Sequence, residues 1–209
     1  TILNKVSFYF IPMLNPDGIA IANQGIESLH LKSKEFYLQA NEGSNNFKRW
    51  KANGRGVDLN KQFPAHWEKV KSKSKPHFAH YKGPNPESEA ESKALANLTR
   101  TEKFSAVIAF HNSGKVIYWY YNQQGESYKR DYNLAQKLST ATNYQLIPPE
   151  DSDQYAAGYK DWFIKEFKRP GFTIEIGKKD GSKPLPATKL NQYWQETRTI
   201  LLTLASNLN

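Results

Sequence analysis

A histidine closes one apolar run, Ala106-Val107-Ile108-Ala109-Phe110-His111, and a glutamate sits inside another, Phe172-Thr173-Ile174-Glu175-Ile176. An imidazole at the carboxyl end of a strand stands where open α/β sheets bind ligands, and it can donate to a metal ion. Glu175 alternates with Ile174 and Ile176, so its carboxylate leaves the strand on the opposite face. That face is either solvent or a cleft, and in a cleft the carboxylate can take a proton from a water nucleophile. Taken singly, such a histidine is more often a hydrogen-bonded structural group, and such a glutamate a solvated one. The third candidate is the phrase Trp50-Lys51-Ala52-Asn53-Gly54-Arg55-Gly56-Val57-Asp58-Leu59-Asn60-Lys61-Gln62-Phe63-Pro64. Its cations and amides suit carboxylate and carbonyl oxygens; the plain alternative is a polar loop.

The elements that must position these groups follow from pattern. Val6 to Ile11 is β-branched and aromatic and stops at Pro12, which predicts a buried strand, and Asn15-Pro16-Asp17-Gly18 has turn composition. Glu87 to Thr101 has helical spacing of Ala90, Ala94, Leu95 and Leu98, with acidic residues early. Strands are expected at 104–111, 116–121 and 172–176, and helices at 132–142, 161–167 and 190–208. Strands alternating with helices predict an α/β domain with a mixed, largely parallel sheet.

The 209 residues suit one domain, 1–209, and the 38% hydrophobic content with 12 Tyr, 11 Phe and 5 Trp suits a packed interior. Cysteine is absent, so disulfides, thiolate metal sites and a cysteine nucleophile are excluded. No apolar run is long enough to cross a bilayer. The net charge of +9 favours polyanions near the surface without choosing among them. Lys69, Lys71, Lys73 and Lys75 alternate with Val and Ser and read as a solvated loop.

Four segments in order resemble the zinc carboxypeptidase superfamily: Ile11 to Gly18, Gly56 to Asn60, Phe110 to Gly114, and Phe172 to Gly177. The resemblance implies a three-layer α/β/α sandwich and a zinc-dependent hydrolase of amide bonds. It implies that His111 is a zinc ligand and that Glu175 activates water. Lys51 falls at the family's oxyanion-stabilising arginine, with Arg55 as second candidate. Asn60, and Lys61 in place of a clamping arginine, imply contact with the substrate's carboxylate, beside Asn112 and Ser113. Tyr155, or less well Tyr159, matches a substrate-capping tyrosine. The phrase from Trp50 to Phe63 and Gly158-Tyr159-Lys160-Asp161-Trp162-Phe163 resemble the bacterial γ-D-glutamyl-L-diamino acid peptidases, which implies a peptidoglycan peptide as substrate.

The family's other two zinc ligands come from a His-x-x-Glu element that this sequence lacks, so they are expected upstream of residue 1. The chain alone is then expected to be inactive, to hold zinc weakly, to lack the domain's N-terminal part and to self-associate. The bacterial cell wall or exterior is the favoured location, with the cytoplasm as the other possibility. Neither nucleic acid nor membrane is expected as partner. An ordinary metallocarboxypeptidase, or a noncatalytic basic module on anionic wall polymer, are the competing readings. The decisive expectation is that the side chains of His111 and Glu175 converge near Asn60.

Overall fold

The computed structural model describes residues 2–27, 32–151, 155–178 and 184–208. The chain forms two compact units, one of Thr1–Phe10, Phe104–Gln154 and Phe163–Asn209, the other of Ile11–Lys103 and Tyr155–Trp162.

The first unit is built on a sheet of four strands: β1 (Val107–Asn112), β2 (Val116–Tyr118), β3 (Gln145–Leu146) and β4 (Gly171–Ile176), in the order β1-β4-β2-β3. β1 runs parallel to β4, β4 antiparallel to β2, and β2 parallel to β3, so the sheet is mixed, as expected. Phe172 and Ile174 of β4 and Ile117 of β2 bury one face of the sheet. Against them pack Leu134, Ala135 and Leu138, one stripe of the helix Gly125–Thr142, and Ile200 and Leu204 of the helix Ile200–Ala205. Removing the fully buried Leu138 side chain by substitution with alanine would cost about 2–5 kcal/mol. Asn143 ends the first of these helices in the left-handed region, its N–H donating to the Ser139 carbonyl. The predicted last helix is two pieces, Leu190–Thr197 and Ile200–Ala205.

Residues 6–11 form no strand: none of the four strands pairs with them, and Phe10 is 69% exposed. Strand propensity expresses itself only where a neighbouring ladder receives the backbone groups. The Asn15–Gly18 turn is instead a helix start. Asn15 caps Pro16–Gln24 by accepting from Gly18 N, and Pro16 takes a first-turn position where a missing N–H is harmless.

The second unit holds Pro16–Gln24, Lys34–Ala40 and Ala90–Glu102 as helices around irregular chain. Ile21, Tyr37, Ala40, Phe47, Trp50 and Ala52 make its core. Where no ladder exists, backbone groups still need partners. Lys51 N and Ala52 N both donate to the Phe78 carbonyl, and Phe78 N donates to that of Ala40.

Candidate active site

In the first unit, His111 and Glu175 are register partners on the parallel strands β1 and β4. Side chains of paired strands at one register position share a face. His111 Nδ1 lies 3.8 Å from Glu175 Oε1, and both side chains are largely covered, with relative exposures of 30% and 17%. The alternation that buries Ile174 therefore sends Glu175 to the face where His111 also emerges. Tyr118, on β2, has its phenol pKa raised by burial and then by the negative charge of Glu175. Beyond His111 the chain turns through Asn112, which is exposed, and the half-buried Ser113. Gly114 N donates to the Gly177 carbonyl at 2.8 Å, joining this turn to the end of β4.

The second unit carries the phrase read from the sequence. Between Lys51 and Asn60 the exposed residues are Lys51, Arg55 and Asn60; the other seven are buried. Those seven hold the loop. Asn53 Oδ1 accepts from Arg55 N and Val57 N, while its amide donates to Glu89 Oε2 at 2.8 Å. Gly56 has φ +72, and a Cβ there would come 2.9 Å from Pro76 Cβ. Asp58 Oδ1 accepts from Asn60 N, and its Oδ2 accepts from His80 N. Lys61 follows, half-buried. Arg55 Nε stands 3.7 Å from the carboxylate of buried Glu89, which steadies that guanidinium. The cations leave a mark on their surroundings: burial first, then Lys51 and Lys61, hold the His80 imidazole below its ordinary pKa against the pull of Asp58.

The two tyrosines differ. Tyr159 packs on Phe63 and Trp162, shares a hydrogen bond with Thr99 Oγ1 at 2.9 Å, and has its pKa pushed up to about 12, chiefly by burial. Tyr155 is 39% exposed, its ring edge-on to His66 and beneath the Lys69 ammonium at 5.2 Å. Asp153 and Gln154, beside it, lie outside the described residues. Gly158 N donates to Asp161 Oδ2, and a Cβ on Gly158 would fall 2.9 Å from Asn60 Oδ1. Asp161 is buried and pairs with buried Lys160 at 2.5 Å.

Histidine placement otherwise departs from expectation at one residue. His80 is exposed as expected, but His77 is buried, with Nδ1 at the Ala79 carbonyl and Nε2 3.3 Å from Glu42. Its two ring nitrogens find partners, which is what admits it to the interior. His30 lies outside the described residues. Among the described residues, no group of three or more His, Cys, Asp or Glu is placed to hold a metal ion. His111 is thus a single donor, too few for a catalytic zinc site.

Sequence reasoning missed the residues that support the loop, Asn53, Asp58 and Glu89, and the part of Asp161 in holding Gly158. The Asp58-Leu59-Asn60 spacing was the available signal, since an aspartate readily accepts from an N–H two residues on.

The zinc carboxypeptidase family model matches residues 1–200. The chain belongs to that family. It is 38% identical over 202 residues to gamma-D-glutamyl-L-diamino acid endopeptidase 1 of Lysinibacillus sphaericus, covering 95% of this chain and 49% of that protein. It is 33% identical to the YqgT protein of Bacillus subtilis, covering 96% of this chain and 52% of that protein. The chain therefore spans about half the length of these relatives. Bovine thrombin-activatable fibrinolysis inhibitor, solved in complex with a tick carboxypeptidase inhibitor, shares the fold, with a TM-score of 0.74, 23% identity, and coverage of 100% of this chain and 71% of that one. The α/β class with a mixed sheet, expected from the sequence, is thus also that of a carboxypeptidase-like structure.

Proposed function

We propose that the whole protein is a zinc metallopeptidase that hydrolyses the γ-D-glutamyl–diamino acid amide of peptidoglycan peptides. The observation that carries this is the pairing of His111 with Glu175 across β1 and β4, in a chain 38% identical to an endopeptidase named for that bond. Glu175 is the proton acceptor for the attacking water and returns that proton to the leaving amine. His111 contributes one imidazole to a metal centre whose remaining donors lie outside the described residues. The donors among the described residues do not complete a site, and on this reading the chain by itself is inactive and binds zinc weakly.

Lys51 or Arg55 supplies fixed positive charge to the developing oxyanion. Asn60 and Lys61 recognise a carboxylate of the substrate, with Asn112 and Ser113 as further polar contacts, and Tyr155 covers the bound peptide in preference to Tyr159. Lys61 is what favours an endopeptidase over a terminal carboxypeptidase, since an ammonium lacks the two-pronged fork with which arginine clamps a terminal carboxylate. The wall or exterior of a bacterium follows from the substrate; no helix among the described residues is long and apolar enough to cross a membrane.

The test uses the full-length enzyme with zinc and two peptides containing γ-D-glutamyl-diaminopimelate, one with a free and one with an amidated C-terminus. Cleavage of that bond in both peptides is the expected result. Cleavage confined to the free form, with release of the terminal residue, would replace this reading by an ordinary carboxypeptidase.

A further inference from the structure

The stretch 66–83 holds five lysines, Lys69, Lys71, Lys73, Lys75 and Lys82, against one carboxylate, Glu68. Composition alone makes this a solvated loop, but the backbone is tied down at several points. Lys73 N donates to the His80 carbonyl at 3.0 Å, and Lys82 N to Ser72 Oγ at 3.0 Å. Ser72 Oγ in turn donates to the Lys73 carbonyl. Lys82 lays its ammonium over the Trp67 ring at 4.1 Å and donates to the carbonyls of Trp67, Glu68 and Val70. Val70 and Ala79 are buried, and Tyr81 and His80 fix the returning limb to Asp58, the residue that also accepts from Asn60 N. Segments 70–73 and 80–82 therefore form a pinned hairpin.

Its outward face is cationic. Ser72 turns its hydroxyl toward the Lys82 N–H, and its neighbours Lys71 and Lys73 are both exposed. Lys71, Lys73 and Lys75 are exposed, and among the described residues none of them takes part in an ion pair. Lys69 is engaged over Tyr155. Three unpaired ammonium groups within five residues repel one another, and a flexible polyanion laid along them relieves that repulsion while releasing counterions.

We infer that the Lys71–Lys75 limb is a docking face for a linear phosphodiester polymer of the polyol-phosphate type. Lysine suits phosphate as a point charge and needs no planar fork. Single-stranded nucleic acid is disfavoured because readers of its bases interleave cations with aromatic platforms, and no aromatic occurs between Lys69 and Lys75. The face shares Asp58 with the Asn60 turn, so a docked polymer is anchored beside a residue of the candidate site within the same unit.

The test measures binding of the 209-residue chain to synthetic poly(glycerol phosphate), against single-stranded DNA and poly-L-glutamate of matched charge, over 50 to 300 mM salt. The triple variant Lys71→Gln/Lys73→Gln/Lys75→Gln is compared with Lys93→Gln/Lys178→Gln/Lys189→Gln, which removes the same charge from exposed positions elsewhere. The inference expects the hairpin variant to bind poly(glycerol phosphate) at least about tenfold more weakly, with the slope of log K against log salt reduced by about 2. It expects the control variant to bind within about twofold of the parent, and poly(glycerol phosphate) to outbind both competitors. Equal losses in the two variants would show net charge alone at work and overturn the inference, as would tighter binding of DNA or of polyglutamate. Peptidase activity enters none of these readouts, so the docking face and the proposed function stand or fall separately.

Discussion

His111 and Glu175 face each other across two parallel strands at one register position, with Nδ1 and Oε1 3.8 Å apart. A one-residue slip of β1 against β4 would send the imidazole to the opposite face and separate them. In the full-length enzyme, Glu175→Gln keeps the shape and loses the proton acceptor. Turnover is expected to fall by about 10²–10⁴-fold with zinc content unchanged, measured by peptide cleavage and metal analysis on the same sample. Wild-type turnover in that variant would remove Glu175 from the mechanism.

Gly158 leaves no room for a side chain beside Asn60. Because a Cβ there would come 2.9 Å from Asn60 Oδ1 and 3.3 Å from Asp161 Oδ2, Gly158→Ala must displace the amide expected to meet the substrate. The full-length variant should lose between about 10- and 100-fold in kcat/KM, with its thermal midpoint little changed. Unaltered kinetics would mean that Asn60 does not touch the substrate.

Lys160 and Asp161 form a buried ion pair, so removing one partner strands the other charge in the interior. Lys160→Ala is expected to destabilise by about 3–5 kcal/mol in urea unfolding, whereas Lys160→Met with Asp161→Leu should recover a large part of that loss. If the single variant were as stable as the parent, the pair would be structurally idle.

His80 makes stability depend on pH. Its folded pKa lies below the ordinary 6.5, so between those two values the unfolded chain binds more protons than the folded one. Stability therefore rises with pH through this window and is lost as pH falls from above 6.5 through the folded value. The urea midpoint should drop on acidification from pH 7 to 5.5, and His80→Gln should flatten that trend. Parallel curves for the two proteins would assign the effect to other groups.

The outer edge of β1 is the place to look for association. Among the described residues β1 pairs with β4 alone, and Phe110 upon it is 47% exposed. An apolar edge strand is a template for further pairing. Sedimentation of this chain should show concentration-dependent oligomers, and Phe110→Lys should return it to monomer; a monomeric parent at 100 µM would be evidence against the edge.

Much of the first unit was legible. β4 lies within one residue of its expected span, and β1 ends one residue beyond His111, because apolar runs in a covered sheet carry their own signal. Glu175's direction followed from alternation alone. The second unit was harder to read, because side-chain amides and carboxylates hold it together and neither has a period. The helix Lys34–Ala40 went unseen: at seven residues it is too short to show a pattern, and it starts on the Ser33 hydroxyl, which accepts from Phe36 N. The burial of His77 was illegible for a similar reason, since its partner Glu42 is 35 positions away in sequence. Residues 6–11 misled because local propensity was read without a ladder to receive it.

The loop from Lys51 to Asn60 divides its labour by position: seven residues are committed to the interior and three face outward. Of the outward three, Lys51 and Asn60 can be exchanged with little risk to the scaffold, since the ties that fix the turn run through its backbone and through Asn53 and Asp58, whereas Arg55 faces the buried carboxylate of Glu89. Side-chain chemistry at Lys51 and Asn60 can then vary by drift or by library without a matching penalty in folding, so the outward surface of this turn is open to change while the turn beneath it is not.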